Sequence, residues 1–190
     1  SINGYRDKVV SAIQGLEGKV VLVGHSMGGM VISIVAEKIP ERIEKLVYIA
    51  GFVPKNGQSL FDLVTQDHQS LLGPALIPSS DMLTMSLADA DVPPIFCQDG
   101  STAIKQMLIA ENKPEPAIPF TQAVTVTSAA FGSIEKHYIR TTFDNTVGIN
   151  LQDQMLGDGN ITNIYTLNTG HCPFLTQPGA ITDILLNQIR

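Results

Sequence analysis

Cysteine and tryptophan are scarce in this chain of 190 residues, which has two cysteines and no tryptophan. Cys97 and Cys172 alone cannot make a disulfide framework, and their spacing matches no structural metal site. We therefore predict two free, partly buried thiols and no metal or other cofactor. Free thiols are compatible with a reducing compartment, which favours the cytoplasm without excluding an oxidising one.

Long runs of basic or apolar residues are lacking as well. The 12 lysines and arginines are scattered and the formal net charge is −6, so no basic run could follow a nucleic-acid backbone. One of the longest apolar stretches, residues 30–36, is far shorter than the roughly 20 residues of a membrane-spanning helix. We therefore predict neither nucleic-acid nor membrane partners. The remaining composition, 44% hydrophobic and 16% charged, is typical of a globular domain with one core.

The first fifty residues alternate between helical and strand patterns. Residues 5–16 carry apolar side chains at helical spacing. Residues 19–23 and 45–50 are predicted to be short buried strands, and residues 27–39 to be a helix that stops at Pro40. The order strand, helix, strand favours a parallel sheet.

The pattern changes at residues 54–134, which hold most of the prolines and show no clear buried strand. This change indicates a loosely helical cap inserted into the sheet domain. Strand patterns return at residues 136–142 and 160–167. We therefore predict an α/β core of residues 1–53 and 135–190 that carries the cap.

Residues 24–28, with the sequence GHSMG, follow a predicted strand and open a predicted helix. This context is typical of a nucleophile elbow, a sharp turn that holds a serine in a strained backbone conformation. Gly24 and Gly28 fit such a turn because side chains two positions from the serine would clash. We predict Ser26 as the nucleophile and the Met27 backbone N–H as an oxyanion donor.

A serine nucleophile needs a histidine base and an orienting carboxylate, which follow such an elbow in the order acid, then histidine. His171 is the one histidine late in the chain, just after the predicted strand at 160–167. Asp144 closely follows the strand before that one. We favour it over Asp153 and Asp158, which lie in a predicted helix and in a glycine-rich turn.

The other histidines and the cysteine beside His171 receive structural interpretations. We expect His25 to pack locally within the elbow, His68 to be solvated in the cap and His137 to lie near the surface. Cys172 is a weaker candidate nucleophile than Ser26, since the elbow already supplies one.

Four stretches together resemble the α/β-hydrolase superfamily, most of all the branch that holds plant methylesterases, hydroxynitrile lyases and small bacterial esterases. They are KVVLVGHSMGGMVIS, KLVYIAGFVPKNGQSL, HYIRTTFDNTVGINLQDQM and NTGHCPFLTQP. The resemblance implies an α/β-hydrolase fold with a mostly parallel sheet and a helical cap after the second visible strand. It also implies a triad of Ser26, Asp144 and His171, with Met27 as one oxyanion donor.

Two departures from the family pattern matter. Hydroxynitrile lyases carry a lysine directly after the catalytic histidine, whereas this chain has Cys172, which argues against cyanohydrin cleavage. The family's first strands and its His-Gly loop, which supplies a second oxyanion donor, precede the helix that opens this chain. We therefore expect this chain to be a fragment of a longer gene product, or its missing first strands to be supplied by another chain, as in a homodimer. Without them residues 19–23 would form an exposed edge.

These features predict a serine carboxylester hydrolase that acts on small-molecule esters with apolar groups through an acyl-enzyme intermediate. Apolar cap residues could line its substrate pocket or, alternatively, form the core of the cap: Leu60, Phe61, Met82, Leu83, Met85, Phe96 and Phe120. A carbon–carbon lyase on the same scaffold and a non-catalytic ligand-binding protein with this fold are the alternatives.

Overall fold

The structure is a computed structural model that describes residues 1–189. Its strands are β1 (Val20–His25), β2 (Ile43–Ile49), β3 (Ile77–Pro78), β4 (Thr84–Ser86), β5 (Glu115–Pro116), β6 (Glu135–Thr141) and β7 (Asn163–Leu167). Its α-helices are α1 (Ile2–Gln14), α2 (Gly28–Lys38), α3 (Leu60–Gln66), α4 (Leu72–Ala75), α5 (Val92–Phe96), α6 (Thr102–Ala110), α7 (Ile118–Thr121), α8 (Ile149–Asp158), α9 (Pro173–Thr176) and α10 (Pro178–Asp183). A π-helical turn, Ile184–Gln188, follows α10 directly.

The main sheet is parallel, with the strand order β1-β2-β6-β7. Successive residues of a strand face opposite sides of a sheet. Accordingly, Leu46 and Tyr48 of β2 pack into one apolar cluster with α1, α2 and α8, whereas Val47 and Ile49 pack into a second cluster with α10. Helices therefore cover both faces, and the predicted α/β fold with a parallel sheet is confirmed.

The segment predicted to be the cap, residues 54–134, lies between β2 and β6. It holds α3 to α7 and a small antiparallel sheet with the order β3-β4-β5. These three strands have two or three residues each, and their residues are exposed or half-buried. The sequence did not predict them, because strands this short show no alternation of polar and apolar residues.

Two other sequence predictions differ from the structure. The strand predicted at residues 160–167 begins only at Asn163, since Asn160 has a φ of 49° and the Ile161 N–H donates to Leu156 O at 2.9 Å, ending α8. His137 was expected near the surface but is only 4% exposed. The reason is that its strand, β6, lies between β2 and β7.

One edge of the described sheet is formed by β1. Its outward side chains Val21 and Val23 are 44% and 45% exposed. Within residues 1–189, no helix combines the length and the apolar character needed to cross a membrane.

Candidate active site

The turn between β1 and α2 holds Ser26 in a left-handed backbone conformation. Its φ is 53°, a region that non-glycine residues rarely occupy and that costs about 1–3 kcal/mol. Hydrogen bonds hold it there. The carbonyl oxygen of Ser26 accepts from the Phe52 N–H at 3.0 Å and from the Gly29 N–H at 2.9 Å. The serine is therefore fixed at the carboxyl end of β1, where ligands bind in open α/β sheets.

Two glycines make this turn sterically possible. A Cβ atom at Gly24 would lie 2.7 Å from the carbonyl oxygen of Gly28, and one at Gly29 would lie 2.4 Å from that of Phe52. A Cβ at Gly28 would meet nothing within 4 Å. The clash predicted at Gly24 is thus present and the one predicted at Gly28 is not, because it is Gly29 that faces the backbone after β2.

Asp144 lies in the loop after β6, buried beside His171. Its Oδ2 atom accepts from His171 Nδ1 at 2.8 Å and from the Thr141 hydroxyl at 2.8 Å. Its Oδ1 atom accepts from the backbone N–H groups of Thr146 and Val147 at 2.7 Å and 2.8 Å. Four donors therefore hold one carboxylate in a single orientation.

These donors also decide the charge of Asp144. Burial by itself would raise the pKa of Asp144, but the adjacent His171 and the hydrogen bonds from Val147 and Thr141 together hold it below its ordinary value. The group is therefore an ionised carboxylate near neutral pH, and an ionised carboxylate can only accept hydrogen bonds.

The tautomer of His171 follows from this. Since Asp144 only accepts, the proton of neutral His171 must lie on Nδ1, which leaves a lone pair on Nε2. The His171 side chain is fully buried, and Nε2 has no hydrogen-bond partner among the described residues. An oriented imidazole with a free Nε2 is the form that a general base requires.

The rival carboxylates lie elsewhere. Asp153 pairs with Arg140 at 2.6 Å, and Asp158 pairs with Lys55 at 2.9 Å. Both are exposed. Neither contacts His171, so the geometry places Asp144 alone of the three candidates beside the histidine.

Ser26 and His171 line one cavity of about 430 Å³ under the cap. No hydrogen bond joins the two side chains; in unliganded sites such catalytic bonds are often long and shorten when substrate binds. Met27 lines the same cavity and is the N-cap residue of α2. Its N–H makes no hydrogen bond with another described residue, and it is free to donate to a ligand.

The cap residues predicted to line a pocket divide into three groups. Four of them line the cavity that contains Ser26: Leu60, Met85, Phe96 and Phe120. Phe61 and Met82 line only an adjoining cavity of about 750 Å³ on the cap, whose wall also includes Met85 and Phe120. Leu83 lines neither cavity and is 56% exposed. The cap turn around Leu83 points its side chain to solvent, which its apolar character could not reveal.

The sequence analysis missed a buried glutamine that is hydrogen-bonded to both ends of the loop that carries Asp144. Gln152 of α8 accepts from the Thr141 N–H at 3.0 Å and donates to the carbonyl oxygens of Thr141 and Val147 at 2.9 Å and 2.7 Å. It thereby ties both ends of the loop that carries Asp144. The one sequence signal was a polar residue on a predicted helix next to Leu151, which is too weak to single it out.

Cys97 and Cys172 are free and buried, as predicted. Burial raises the pKa of Cys172 to about 12, so its sulfur stays a thiol at neutral pH and is a poor nucleophile. Within residues 1–189, no group of three or more histidine, cysteine or acidic side chains could hold a metal ion.

His25 is expected to make the protein sensitive to acid. Burial, followed by the electrostatic effect of the nearby His171, lowers the pKa of His25 to about 3, whereas the pKa of a histidine in an unfolded chain is about 6.5. Between these two pH values the unfolded chain binds a proton that the folded chain does not. The free energy of unfolding is therefore unaffected by the titration of His25 above about pH 6.5 and decreases as the pH falls towards about 3. We expect this residue alone to lower the free energy of unfolding by about 2 kcal/mol from pH 7 to pH 5.

Urea unfolding of the wild type and of His25→Gln at both pH values checks this. From pH 7 to pH 5, the free energy of unfolding of His25→Gln should fall by about 2 kcal/mol less than that of the wild type. Equal losses in the two proteins would contradict the prediction.

Comparison with known proteins identifies the family of this chain. A model of the alpha/beta hydrolase family matches residues 2–184. Putative methylesterase 11, chloroplastic, of Arabidopsis thaliana is 26% identical over 185 residues, which are 90% of this chain and 46% of that protein. The chain spans about half the length of the curated relatives it matches first.

Solved structures share the fold over nearly the whole chain. Polyneuridine aldehyde esterase superposes with a TM-score of 0.82 at 20% identity, covering 98% of this chain and 78% of that one. An extracellular alpha/beta-hydrolase from a Paenibacillus species superposes with a TM-score of 0.77 at 25% identity, covering 95% and 76%. The chain therefore belongs to the alpha/beta hydrolase family and resembles its methylesterase branch.

Proposed function

We propose that this protein is a serine carboxylester hydrolase that uses Ser26, His171 and Asp144 as its catalytic triad. One observation carries the proposal: His171 lines the same cavity as the strained Ser26, and Asp144 holds it in the tautomer whose Nε2 is free to accept a proton. The names of the relatives, which are methylesterases and other esterases, support hydrolysis of an ester.

The mechanism follows from these positions. Ser26 Oγ attacks the ester carbonyl carbon while its proton passes to His171 Nε2, and the Met27 N–H stabilises the oxyanion. Collapse of this intermediate breaks the bond to the alcohol oxygen, which takes the proton from His171. Water then attacks the acyl-enzyme and gives a proton to His171. His171 passes this proton to Ser26 Oγ as the bond between Oγ and the acyl carbon breaks and the acid leaves. Asp144 stays ionised and stabilises the imidazolium at each step.

Substrates of this enzyme should be neutral and apolar on the side that enters the cavity. Much of the cavity wall is formed by aliphatic and aromatic side chains such as Phe52, Leu108 and Val92. Charged residues of the cap, including Glu111 and Lys113, also line it. The apolar part of this wall favours hydrophobic groups over charged ones, since a charge buried against it would be left unpaired.

Rapid mixing with 4-nitrophenyl butyrate tests this function. An acyl-enzyme mechanism predicts a fast burst of nitrophenolate close to one equivalent per protein, then a slower steady state. A quenched sample should show a protein mass increased by one butyryl group.

A cyanohydrin substrate separates the competing functions. We expect no cleavage of mandelonitrile, because a thiol, Cys172, replaces the lysine found in hydroxynitrile lyases. Cyanohydrin cleavage without an ester burst would favour the lyase. Turnover of neither substrate, with reversible binding of the ester, would favour a non-catalytic binding protein.

A further inference from the structure

His25, the residue directly before the nucleophile, contacts the backbone of the base. Its Nε2 atom lies 2.8 Å from the carbonyl oxygen of His171. The two imidazole rings are 4.4 Å apart between centroids, at 47° to each other. Phe174 packs edge-on against the other side of His25, with centroids 4.9 Å apart. The ring is therefore held between the base and the helix that follows it.

The direction of this hydrogen bond is determined by its acceptor. A carbonyl oxygen can only accept, so Nε2 of His25 must carry the proton. The burial that disfavours a charged His25 leaves one proton on the ring, and the His171 carbonyl sets its position. The neutral state of His25 also favours catalysis, because a positive charge at this distance would disfavour the imidazolium that forms on His171.

The residue before the base is held by a different segment of the chain. The Gly170 N–H donates to Asp99 Oδ2 at 2.9 Å. Asp99 belongs to the cap, and its other oxygen would lie 2.7 Å from a Cβ atom at Gly170. The backbone on both sides of His171 is thus tied to other segments.

We propose that His25 is a positioning residue that sets the direction of the base by holding the backbone carbonyl of His171, with Asp99 holding the preceding residue. The proposal rests on the proposed hydrolase function. The bond from His171 Nδ1 to Asp144 fixes only one point of the ring, about which the ring and its backbone could pivot. A second tie at the His171 carbonyl removes that freedom.

The position of His25 in the sequence makes this tie effective. His25 and Ser26 are adjacent in the chain, so the tie joins the base to the nucleophile's own turn. The distance between His171 Nε2 and Ser26 Oγ then depends on the side chains of these three residues, one peptide unit and one hydrogen bond. A misplacement of about 1 Å between reacting groups can cost about 100-fold in rate.

Two substitutions at this position separate the hydrogen bond from packing. His25→Leu removes the donor, and we expect kcat for an ester to fall 10- to 100-fold, roughly the cost of a small misplacement, with KM little changed. His25→Gln keeps an N–H donor at a similar reach and should stay within about fivefold of the wild type, well short of that loss. His137→Gln, at a buried histidine hydrogen-bonded to Glu135, is the matched control and should behave as the wild type.

Proton NMR gives a readout that does not need turnover. The Nδ1 proton of His171, bonded to Asp144, should give a low-field resonance in the wild type, in His25→Gln and in His137→Gln. In His25→Leu the resonance should broaden or vanish, because the ring is no longer held in one position. If His25→Leu does not fold, Asp99→Ala replaces it, with the same broadening and a smaller fall in kcat expected.

Wild-type kcat and a sharp Nδ1 resonance in the folded His25→Leu protein would overturn the proposal, as would equal losses in His25→Leu and His25→Gln. A wild type that turns over no ester would refute the hydrolase function instead. In that case the NMR comparison still decides whether His25 holds the histidine.

Discussion

Replacing Ser26 by alanine is expected to lower kcat for ester hydrolysis by roughly 10⁶-fold, the loss seen when a triad nucleophile is removed. The reason is that the elbow presents this hydroxyl, in a strained turn, to the cavity shared with His171. Without it no acyl-enzyme can form, and only the oxyanion donor and substrate binding remain. The same change should abolish covalent labelling by a fluorophosphonate, read as the intact mass of the protein.

Ser128→Ala is the matched control for this experiment. Ser128 is exposed and lies away from the cavity that contains Ser26, so its replacement should leave both kcat and labelling unchanged. Labelling that persists in Ser26→Ala would place the nucleophile elsewhere. A wild type that takes up no label while folded would contradict the assembled triad itself.

Asp144→Asn is expected to lower kcat by about 10⁴-fold, as for the triad aspartate of serine proteases, with a much smaller change in KM. The structure shows how. The N–H groups of Thr146 and Val147 both point at Oδ1, so they select the amide oxygen of asparagine for that side. The amide nitrogen then faces His171 Nδ1 and donates to it.

The consequence is a reversed tautomer of the base. With Nδ1 accepting, the proton of neutral His171 moves to Nε2, which can no longer take the proton of Ser26. The change is nearly isosteric, so substrate binding should persist. Steady-state kinetics measure the effect, and loss of the low-field Nδ1 proton resonance reports the tautomer directly.

Asp153→Asn provides the control for this prediction. Asp153 is an exposed partner of Arg140, and an exposed ion pair contributes only about 0–1 kcal/mol. We expect kcat within about twofold of the wild type, since nothing in the active site depends on that pair. A loss below about tenfold in Asp144→Asn would show that Asp144 does not set the tautomer of His171 as the triad mechanism requires.

The local chemistry of the elbow was readable in the sequence. An apolar strand, a glycine-flanked serine and an apolar helix follow each other without interruption, and this local order predicts the turn, which the Phe52 N–H also holds in the structure. The same holds for the parallel sheet, because buried strands and crossover helices have periodicities that short windows reveal. Asp144 and His171 could be proposed because each follows a strand, and the carboxyl ends of parallel strands share one edge of the sheet.

Contacts between distant segments were not readable. His25 was expected only to pack locally, yet its ring meets the carbonyl of His171, 146 positions away. The glycine that faces the Phe52 backbone is Gly29 rather than Gly28, because that approach depends on where the chain runs after β2. His137 is buried because β6 takes an inner place in the sheet.

The sequence by itself therefore predicted the turn and the four strands of the main sheet, and it indicated three candidate triad residues, since these patterns depend on residues close together in the chain. The tertiary structure alone decided the hydrogen bonds that orient Asp144 and His171 and the cap residues that reach Ser26. Those depend on how separate segments pack. A hydrogen bond requires placement to a few tenths of an ångström, which local patterns do not specify.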